Sequence, residues 1–172
     1  MHPIRNIWDT EATSHQSGEF FEGRAAALAA PLGAKAIGAN VTRVPPGKAA
    51  WPLHHHFANE EHFFIVRGTG TLRFGATTHA VKPGDYIVTP PGGADRAHQL
   101  VNTGAEELVY LALSTLTAPE VVGYPDSGKT GVGTIGSDGN RQRFLIEDRN
   151  RDSKQYWDGE DGAAVRALTR RG

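Results

Sequence analysis

The sequence predicts an all-β protein, a sandwich or barrel of short antiparallel strands. Runs rich in β-branched and aromatic residues follow one another at intervals of about 8–12 residues, the spacing typical of such folds. Most of the 21 Gly and 10 Pro residues fall between these runs, where they favour turns. No repeat of about 20–50 residues is visible, so the pattern disfavours a solenoid or a propeller.

Residues 1–36 are predicted to form an amino-terminal arm and one short helix. Residues 1–21 show no clear period and are expected to wrap onto the main body. The segment RAAALAA at residues 24–30 is rich in alanine, the strongest helix former, and it stops at Pro31 and Gly33. We therefore expect a short helix there.

Residues 37–116 are predicted to form the core of the barrel. Gly, Pro and Asn punctuate this region, as in Pro45-Pro46-Gly47 and Asn102-Thr103-Gly104, and such clusters indicate turns between strands. The predicted strands cover residues 37–44, 51–56, 61–66, 71–74, 78–81, 86–89, 97–101 and 107–116.

Residues 117–172 are predicted to form a loop and an extended carboxyl-terminal tail. Residues 117–143 are rich in Gly, Ser and Asp and are interpreted as a loop, followed by a short strand at 144–147 and a weak helix at 163–169. Tyr156 and Trp157 stand in an otherwise polar tail. Because two large rings are costly to leave in water, we expect the tail to pack on the barrel or on a partner subunit.

Composition narrows the classes of function. The net charge is −1 and no block of like charge is present, so a nucleic-acid or anionic-membrane surface is not expected. The chain has no cysteine, which excludes disulfides and leaves only nitrogen and oxygen atoms as metal ligands. The amino terminus lacks an apolar run, so we expect no signal peptide or membrane span, and a cytoplasmic protein.

Three histidines and one glutamate have the spacing of a metal site built on antiparallel strands. Side chains alternate between the two faces of a strand, so His54 and His56 point the same way. Residues 57–60 read as a turn, and Glu61 opens the returning strand beside the histidine pair. With His98, the set would bury a carboxylate among three imidazoles, at a cost of roughly several kcal/mol unless a cation compensates.

Two spaced motifs give the chain a resemblance to a known superfamily. The first comprises a glycine, the His-x-His pair, a glutamate and a second glycine; the other comprises a glycine, Pro-x-Gly, a histidine and an asparagine. In this chain they are Gly47, His54, His56, Glu61 and Gly68, then Gly84, Pro90, Gly92, His98 and Asn102. The chain resembles a cupin across residues 37–116, and with its Tyr124-Pro125-Asp126 segment it is similar to the small single-domain bacterial cupins.

The resemblance implies a jelly-roll β-barrel with short peripheral helices and a divalent metal near its mouth. It implies that His54, His56, Glu61 and His98 bind the metal, leaving two octahedral positions open for water or substrate. Fe(II), Mn(II), Ni(II), Zn(II) and Cu(II) all accept such ligands, and the sequence does not choose among them. Most members of this group have no assigned reaction, and some are labelled sugar-phosphate isomerases.

Strand alternation assigns the neighbours of these four residues to faces. His55 and His62 fall on the opposite face and are expected at the surface or at a subunit interface, while Glu60 belongs to the turn. Phe63, Ile65 and Leu100 are expected on the inner wall. Phe64 and Val66 point outward, which favours a second sheet layer or, as the resemblance suggests, a homodimer packed sheet to sheet.

Two functions remain open at this stage. The first is a metal-dependent enzyme acting on a small polar metabolite, as an isomerase or epimerase or as a dioxygenase; the alternative is a non-catalytic cupin that binds or senses a small molecule. An isomerase needs a base near the metal, whereas a dioxygenase works in a mostly apolar pocket. The catalytic residues are not identified, and the weak candidates are Tyr86, Arg96 and Tyr110.

Overall fold

The computed structural model describes residues 3–135 and 141–147, and nearly all of its regular structure is antiparallel β-sheet. Two short 3-10 helices, Ala30–Leu32 and Ala94–Arg96, interrupt the strands. The strands are β1 (Thr13–Ser17), β2 (Phe21–Ala27), β3 (Ile37–Val44), β4 (His55–His56), β5 (Glu61–Arg67), β6 (Gly70–Phe74), β7 (Thr77–Val81), β8 (Tyr86–Thr89), β9 (His98–Val101), β10 (Leu108–Thr115), β11 (Glu120–Tyr124), β12 (Lys129–Ile135) and β13 (Arg141–Glu147).

The described strands form three sheets. The largest has the order β1-β2-β3-β10-β5-β8, the second has the order β13-β12-β11-β4, and the smallest has the order β7-β6-β9. Strands distant in sequence lie side by side, since β3 pairs with β10 and β4 pairs with β11. The expectation of an all-β jelly roll is confirmed.

The inner core joins the six-stranded and the three-stranded sheets. Ile65, Leu108 and Tyr110 from the large sheet are almost fully buried, and they pack with Leu72 and Leu100 from the small one. Burying an aliphatic side chain of this size contributes roughly 1.5–3 kcal/mol. This cluster fixes the strands that carry the candidate site, because β5 and β9 each contribute residues to it.

The other face of the large sheet is covered by the amino-terminal arm. Ala26, Val41 and Val109 are buried there, with Ile7, Ala12 and Val66 packed against them. The Trp8 ring lies beside two guanidinium groups, 5.9 Å from Arg43 and 5.2 Å from Arg67. The outward Val66 is therefore covered within the chain, whereas Phe64 remains 37% exposed.

The helix expected at residues 24–30 is not formed. Residues 24–27 belong to β2, where they pair with both β1 and β3, and only the end of the alanine run enters a 3-10 turn. The sheet is closely packed just before this segment, where a Cβ on Gly23 would lie 2.9 Å from the Cβ of Ala50. Sheet pairing on both sides outweighs the helix propensity of a few alanines.

The loop expected at residues 117–143 is also not formed, because β11, β12 and the start of β13 occupy most of it. The short strand expected at 144–147 is confirmed as part of β13, whereas the strand expected at 51–56 is regular only at His55–His56. The helix expected at 163–169 and the Tyr156-Trp157 pair lie outside the described residues. Within the described part of the chain, no helix has the length and hydropathy needed to cross a membrane.

Candidate metal centre

The three sheets meet at the histidine and glutamate cluster. His56 lies on β4 of the four-stranded sheet, Glu61 begins β5 of the six-stranded sheet, and His98 begins β9 of the three-stranded sheet. His54 joins them through a backbone bridge to His98, with N···O distances of 3.2 and 2.8 Å. The fold thus brings the three neighbouring residues His54, His56 and Glu61 together with the distant His98.

One carboxylate oxygen faces all three imidazoles. Glu61 Oε2 lies 2.9 Å from His98 Nε2, 3.4 Å from His56 Nε2 and 3.6 Å from His54 Nε2. The four potential ligand atoms all lie within 4.8 Å of one another, and the side chains are largely buried. The structure therefore places all four predicted ligands at one point, in a cluster able to hold a metal ion.

The His54 and His98 rings are oriented with their Nε2 atoms toward the cluster. His54 Nδ1 lies 2.9 Å from the Pro52 carbonyl oxygen, and His98 Nδ1 lies 3.1 Å from the Arg96 carbonyl oxygen. A carbonyl only accepts, so each ring donates its Nδ1 proton outward and directs its Nε2 atom toward Glu61, where a bound metal would take the place of any Nε2 proton. This is the tautomer that metal-binding histidines adopt when the second nitrogen is hydrogen-bonded to the backbone.

Electrostatics at the cluster also favour a cation. Burial alone raises the pKa of the Glu61 carboxyl, but the surrounding imidazoles outweigh burial and hold that pKa well below its usual range. Burial lowers the pKa of His98, against the opposing contact with Glu61. Both ring nitrogens of His56 are buried without a hydrogen-bond partner among the described groups. Unsatisfied nitrogens beside an ionised carboxylate fit a bound divalent metal.

Three residues of the cluster, His54, His56 and Glu61, lie in the wall of a cavity of about 630 Å³, whereas His98 is buried and does not line it. Apolar groups such as Phe63 and Leu116 share its surface with polar ones such as Asn40 and Thr42, and the half-exposed Trp51 also lines it. A volume of this size is typical of small-molecule sites, about 300–1,000 Å³. The cavity can therefore admit an organic molecule to the cluster.

Glu120, at the start of β11, is a buried acidic group that sequence reasoning missed. Its carboxylate accepts hydrogen bonds from the backbone N–H groups of Phe57 and Ala58, at 3.1 and 3.3 Å, and from the side chain of Asn59. Its Oε1 atom is 3.8 Å from His56 Nδ1. Glu120 therefore anchors the turn that leads from the histidine pair to Glu61. The Val121-Val122 run was the sequence signal for a strand beginning here.

His55 does not lie at a surface or interface, as the sequence had suggested. It is only 7% exposed, and its Nδ1–H donates to the Gly92 carbonyl at 2.9 Å. The ring packs directly on Gly123 of β11, where a Cβ would come within 2.1 Å of His55 Nε2. His55 is buried because β4 is covered on both faces, one by the metal cluster and the other by this contact.

The three weak catalytic candidates lie in different surroundings. Tyr86 is 61% exposed, and its hydroxyl contacts His62 Nδ1 at 2.6 Å on the outer face of the large sheet. Arg96 is half-exposed beside Asp95. Tyr110 is buried in the inner core, and burial raises its pKa well above the usual range. None of the three candidates lines the cavity.

Apart from Glu120, the acidic and imidazole groups Glu60 and His62 near the histidine pair contact each other rather than the cluster. Glu60 Oε1 lies 2.8 Å from His62 Nε2, and both side chains are partly exposed. The side-chain NH₂ group of Gln99, the residue after His98, donates to the Trp51 carbonyl at 2.8 Å and so holds the backbone at Trp51 in place. These contacts agree with the alternation expected from the sequence, in which only His54, His56, Glu61 and His98 share the inner face.

Comparison with solved structures gives several relatives of the same fold. A protein from Acidithiobacillus ferrooxidans, designated a sugar phosphate isomerase, is 26% identical with a TM-score of 0.64, over 76% of this chain and 82% of its own. A cupin-superfamily sugar phosphate isomerase from Silicibacter pomeroyi is 20% identical with a TM-score of 0.71, over 88% and 98% of the two chains. A predicted oxalate decarboxylase from Thermotoga maritima is 24% identical with a TM-score of 0.58, over 66% and 99%.

Comparison of the amino-acid sequence matches a shorter part of the chain than comparison of the structure does. No curated protein matches the chain. Residues 40–114, from β3 to β10, match the family described as Cupin domain, and this segment contains all four residues of the metal cluster. The jelly-roll fold, the converging histidines and glutamate, and this family match agree, and residues 40–114 of this chain form a cupin domain.

Proposed function

We propose that this cupin is a metal-dependent enzyme that acts on a small polar metabolite. The observation that carries the proposal is the convergence of four ligand atoms within 4.8 Å of one another, at residues of which three line a cavity of about 630 Å³. A buried structural metal would need no such access. The cavity lets a second molecule reach the cluster, as a catalytic metal site requires.

His54, His56, Glu61 and His98 would hold the ion, and Fe, Mn, Ni, Zn and Cu all suit this donor set. When bound, a divalent metal supplies Lewis-acid polarisation of a carbonyl or of a hydroxyl pair. The backbone carbonyls of Pro52 and Arg96 keep two of the imidazoles oriented for this role. The apolar face of Phe63 limits the water that reaches the cluster.

Proton transfer, as in an isomerase or epimerase, suits the cavity better than oxygen chemistry. Its wall includes ionisable side chains besides the ligands, namely Glu120, Lys35 and Lys129. A side chain of this kind can accept or return a substrate proton. The relative from Acidithiobacillus ferrooxidans, designated a sugar phosphate isomerase, favours the same class. Dioxygenation and non-catalytic ligand binding are the competing functions.

The first experiment tests the metal. Purified wild type should contain or take up close to one divalent ion per chain, measured by elemental analysis and by titration with Mn(II). His98→Ala should lose most of this capacity, while His79→Ala, at an exposed position on β7, should keep it. Circular dichroism of each variant monitors the fold. Equal Mn(II) binding by His98→Ala and wild type would contradict the metal site.

The second experiment tests the reaction. The metal-loaded protein is incubated in D₂O with a panel of aldose and ketose phosphates, and proton NMR follows deuterium uptake at the carbon next to the carbonyl. Metal-dependent exchange supports isomerase or epimerase chemistry. Oxygen consumption by the Fe(II) form, without exchange, would instead identify a dioxygenase. Saturable ligand binding without either signal would identify a binding protein.

We also propose that two copies pair through the outer face of the large sheet. Phe64 and Tyr86 are cross-strand partners on β5 and the edge strand β8, and both are exposed, as is Val88. Apolar side chains gathered on a sheet edge favour association with a like surface. Light scattering should give a dimer for wild type and a monomer for Phe64→Lys. A monomeric wild type would refute this pairing.

A further inference from the structure

We propose that the β11–β12 hairpin is the substrate-binding wall of the cavity and that it receives a small organic anion, with Lys129 facing the anionic group. The inference rests on the proposed function, because this hairpin faces the same cluster. The hairpin lies outside residues 40–114, which carry the cupin match.

Strand alternation assigns the inward positions of the hairpin. On β11 these are Glu120, Val122 and Tyr124, which line the cavity, and their partners across the ladder are Gly133, Gly131 and Lys129. Cross-strand partners share one face of a sheet, and all three partners line the cavity as well. On β12, Lys129 is therefore the one inward position of the three that carries a side chain.

The glycine at 133 leaves space in front of the cluster. Among the groups that the structure describes, a Cβ placed there would meet the Glu120 carbonyl oxygen alone, 4.0 Å away, and the Gly133 backbone lies outside the positive-φ region. Neither packing nor backbone conformation therefore requires glycine. Gly123 differs, because a Cβ there would strike His55 at 2.1 Å. Glycine inside a strand without a packing reason marks the close approach of another molecule.

The charges along the wall favour an anion. Glu61 is engaged with three imidazoles, and Glu120 accepts hydrogen bonds from the turn after His56. Lys35 and Lys129 line the same cavity, and among the side chains that the structure describes, those of residues 3–134 and of Gln142, no carboxylate pairs with either lysine. The ammonium groups of the two lysines balance the carboxylates of Glu61 and Glu120. A bound divalent ion would therefore give the described part of the wall a net charge of +2. An anionic ligand neutralises this excess.

Lys129 is positioned to reach a ligand held at the cluster. Its Nζ lies 5.9 Å from the centre of the Tyr124 ring, and that ring stacks on His54 with 6.2 Å between centroids. The contact with Tyr124 holds the ammonium over the cavity wall. A small molecule that bears both an anionic group and oxygen donors for the metal would span these two points. The class is therefore a phosphorylated or carboxylated polyol or hydroxy acid.

The test is calorimetric titration of the Mn(II)-loaded full chain with ribose 5-phosphate, malate and inorganic phosphate, with ribose as the neutral counterpart. At least one of the two organic anions should bind more tightly than ribose. Lys129→Gln should weaken that binding about 10- to 100-fold, the range of a lost charge-assisted hydrogen bond. Lys82→Gln is the matched control, because Lys82 pairs with Asp85 in an exposed turn; it should change affinity less than about twofold.

A second variant keeps the test independent of charge. Gly133→Val places a branched side chain in the open space. It should therefore weaken binding of the organic anion at least as much as Lys129→Gln does, while leaving Mn(II) content unchanged. Equal binding of ribose and both organic anions, or Lys129→Gln binding as wild type does, would overturn the inference. If wild type takes up no Mn(II), the proposed function fails. The same titrations on the metal-free protein then test separately whether the β11–β12 hairpin binds the organic anion.

Discussion

Replacing Glu120 by alanine should destabilise the fold more than its position at the start of a strand suggests. The carboxylate is buried, with 12% of the side chain exposed, and it is the acceptor for three donors of the segment after His56. Alanine would leave the backbone N–H group of Ala58 without this acceptor, whereas the Phe57 N–H group keeps its bond to the Val121 carbonyl at 3.0 Å. Asn59 keeps one of its bonds, to the Thr117 carbonyl at 3.1 Å.

The size of the effect follows from these contacts. A hydrogen bond to a charged acceptor contributes about 1.5–3 kcal/mol, and an unsatisfied buried donor costs about 1–3 kcal/mol. The bonds from Phe57 and Ala58 are long, at 3.1 and 3.3 Å, so each belongs at the lower end. Because Phe57 keeps a second acceptor, we expect Glu120→Ala to lower the free energy of unfolding by about 2–4 kcal/mol, most of it from the Ala58 and Asn59 donors.

Urea denaturation of the metal-free protein, followed by circular dichroism, measures this loss. Glu19→Ala is the matched control, because Glu19 is exposed and should change stability by less than about 0.5 kcal/mol. Glu120→Gln should fall between the two, since its amide oxygen still accepts but its NH₂ group faces the Asn59 donor. A loss for Glu120→Ala no larger than that of Glu19→Ala would refute the role assigned to this carboxylate.

The same variant should also weaken the proposed metal site. Glu120 anchors the turn between His56 and Glu61, so its loss should loosen two ligands at once. Changes to groups that orient metal ligands typically reduce affinity about 10- to 100-fold, and we expect this for Mn(II) binding by Glu120→Gln. Unchanged Mn(II) affinity in a folded Glu120→Gln protein would show that the turn is held without it.

Three further predictions test the packing. Gly123→Ala should cost about 2–3 kcal/mol in a thermal melt, because its Cβ would displace the His55 ring; a variant as stable as wild type would contradict this contact. Asn102→Ala should cost about 2–4 kcal/mol in urea, since this fully buried amide satisfies three backbone groups; a loss below about 1 kcal/mol would contradict it. The Arg73 hydrogen bonds lower the pKa of Asp126, so this ion pair stabilises the fold above the carboxyl's unfolded pKa and is lost as pH falls through the lowered native pKa. Asp126→Asn should therefore cost at most about 1 kcal/mol at pH 7, discounted for exposure, and nothing near pH 2; equal losses at both pH values would contradict it.

The metal cluster could be located from the sequence because its geometry is local. Residue alternation on a strand places His54 and His56 on one face, and a short turn returns Glu61 beside them. Such arguments use only neighbours along the chain. The same arguments placed Phe63 and Ile65 correctly in the inner core. The ligand role of the four residues remains a prediction until metal is measured.

The parts that escaped prediction depend on contacts distant in sequence. The bond from Phe57 to Glu120 spans 63 residues, and no local pattern indicates that β11 covers β4. Glycines at 131 and 133 suggested a loop, but here they leave room beside a strand. The alanines of residues 24–27 favoured a helix until β1 and β3 took them into a sheet. In each case tertiary pairing overrides the local preference.

The long sequence separation between His56 and Glu120 has a consequence during protein synthesis. A ribosome adds about 5–20 residues per second, so His56 is made roughly 3–13 seconds before Glu120. Throughout that interval β4 lacks β11, the strand that pairs with it. Because β4 is only two residues long, it has little structure of its own. We therefore expect the nascent chain to order its inner core first, and the ion to enter a scaffold that is already largely folded.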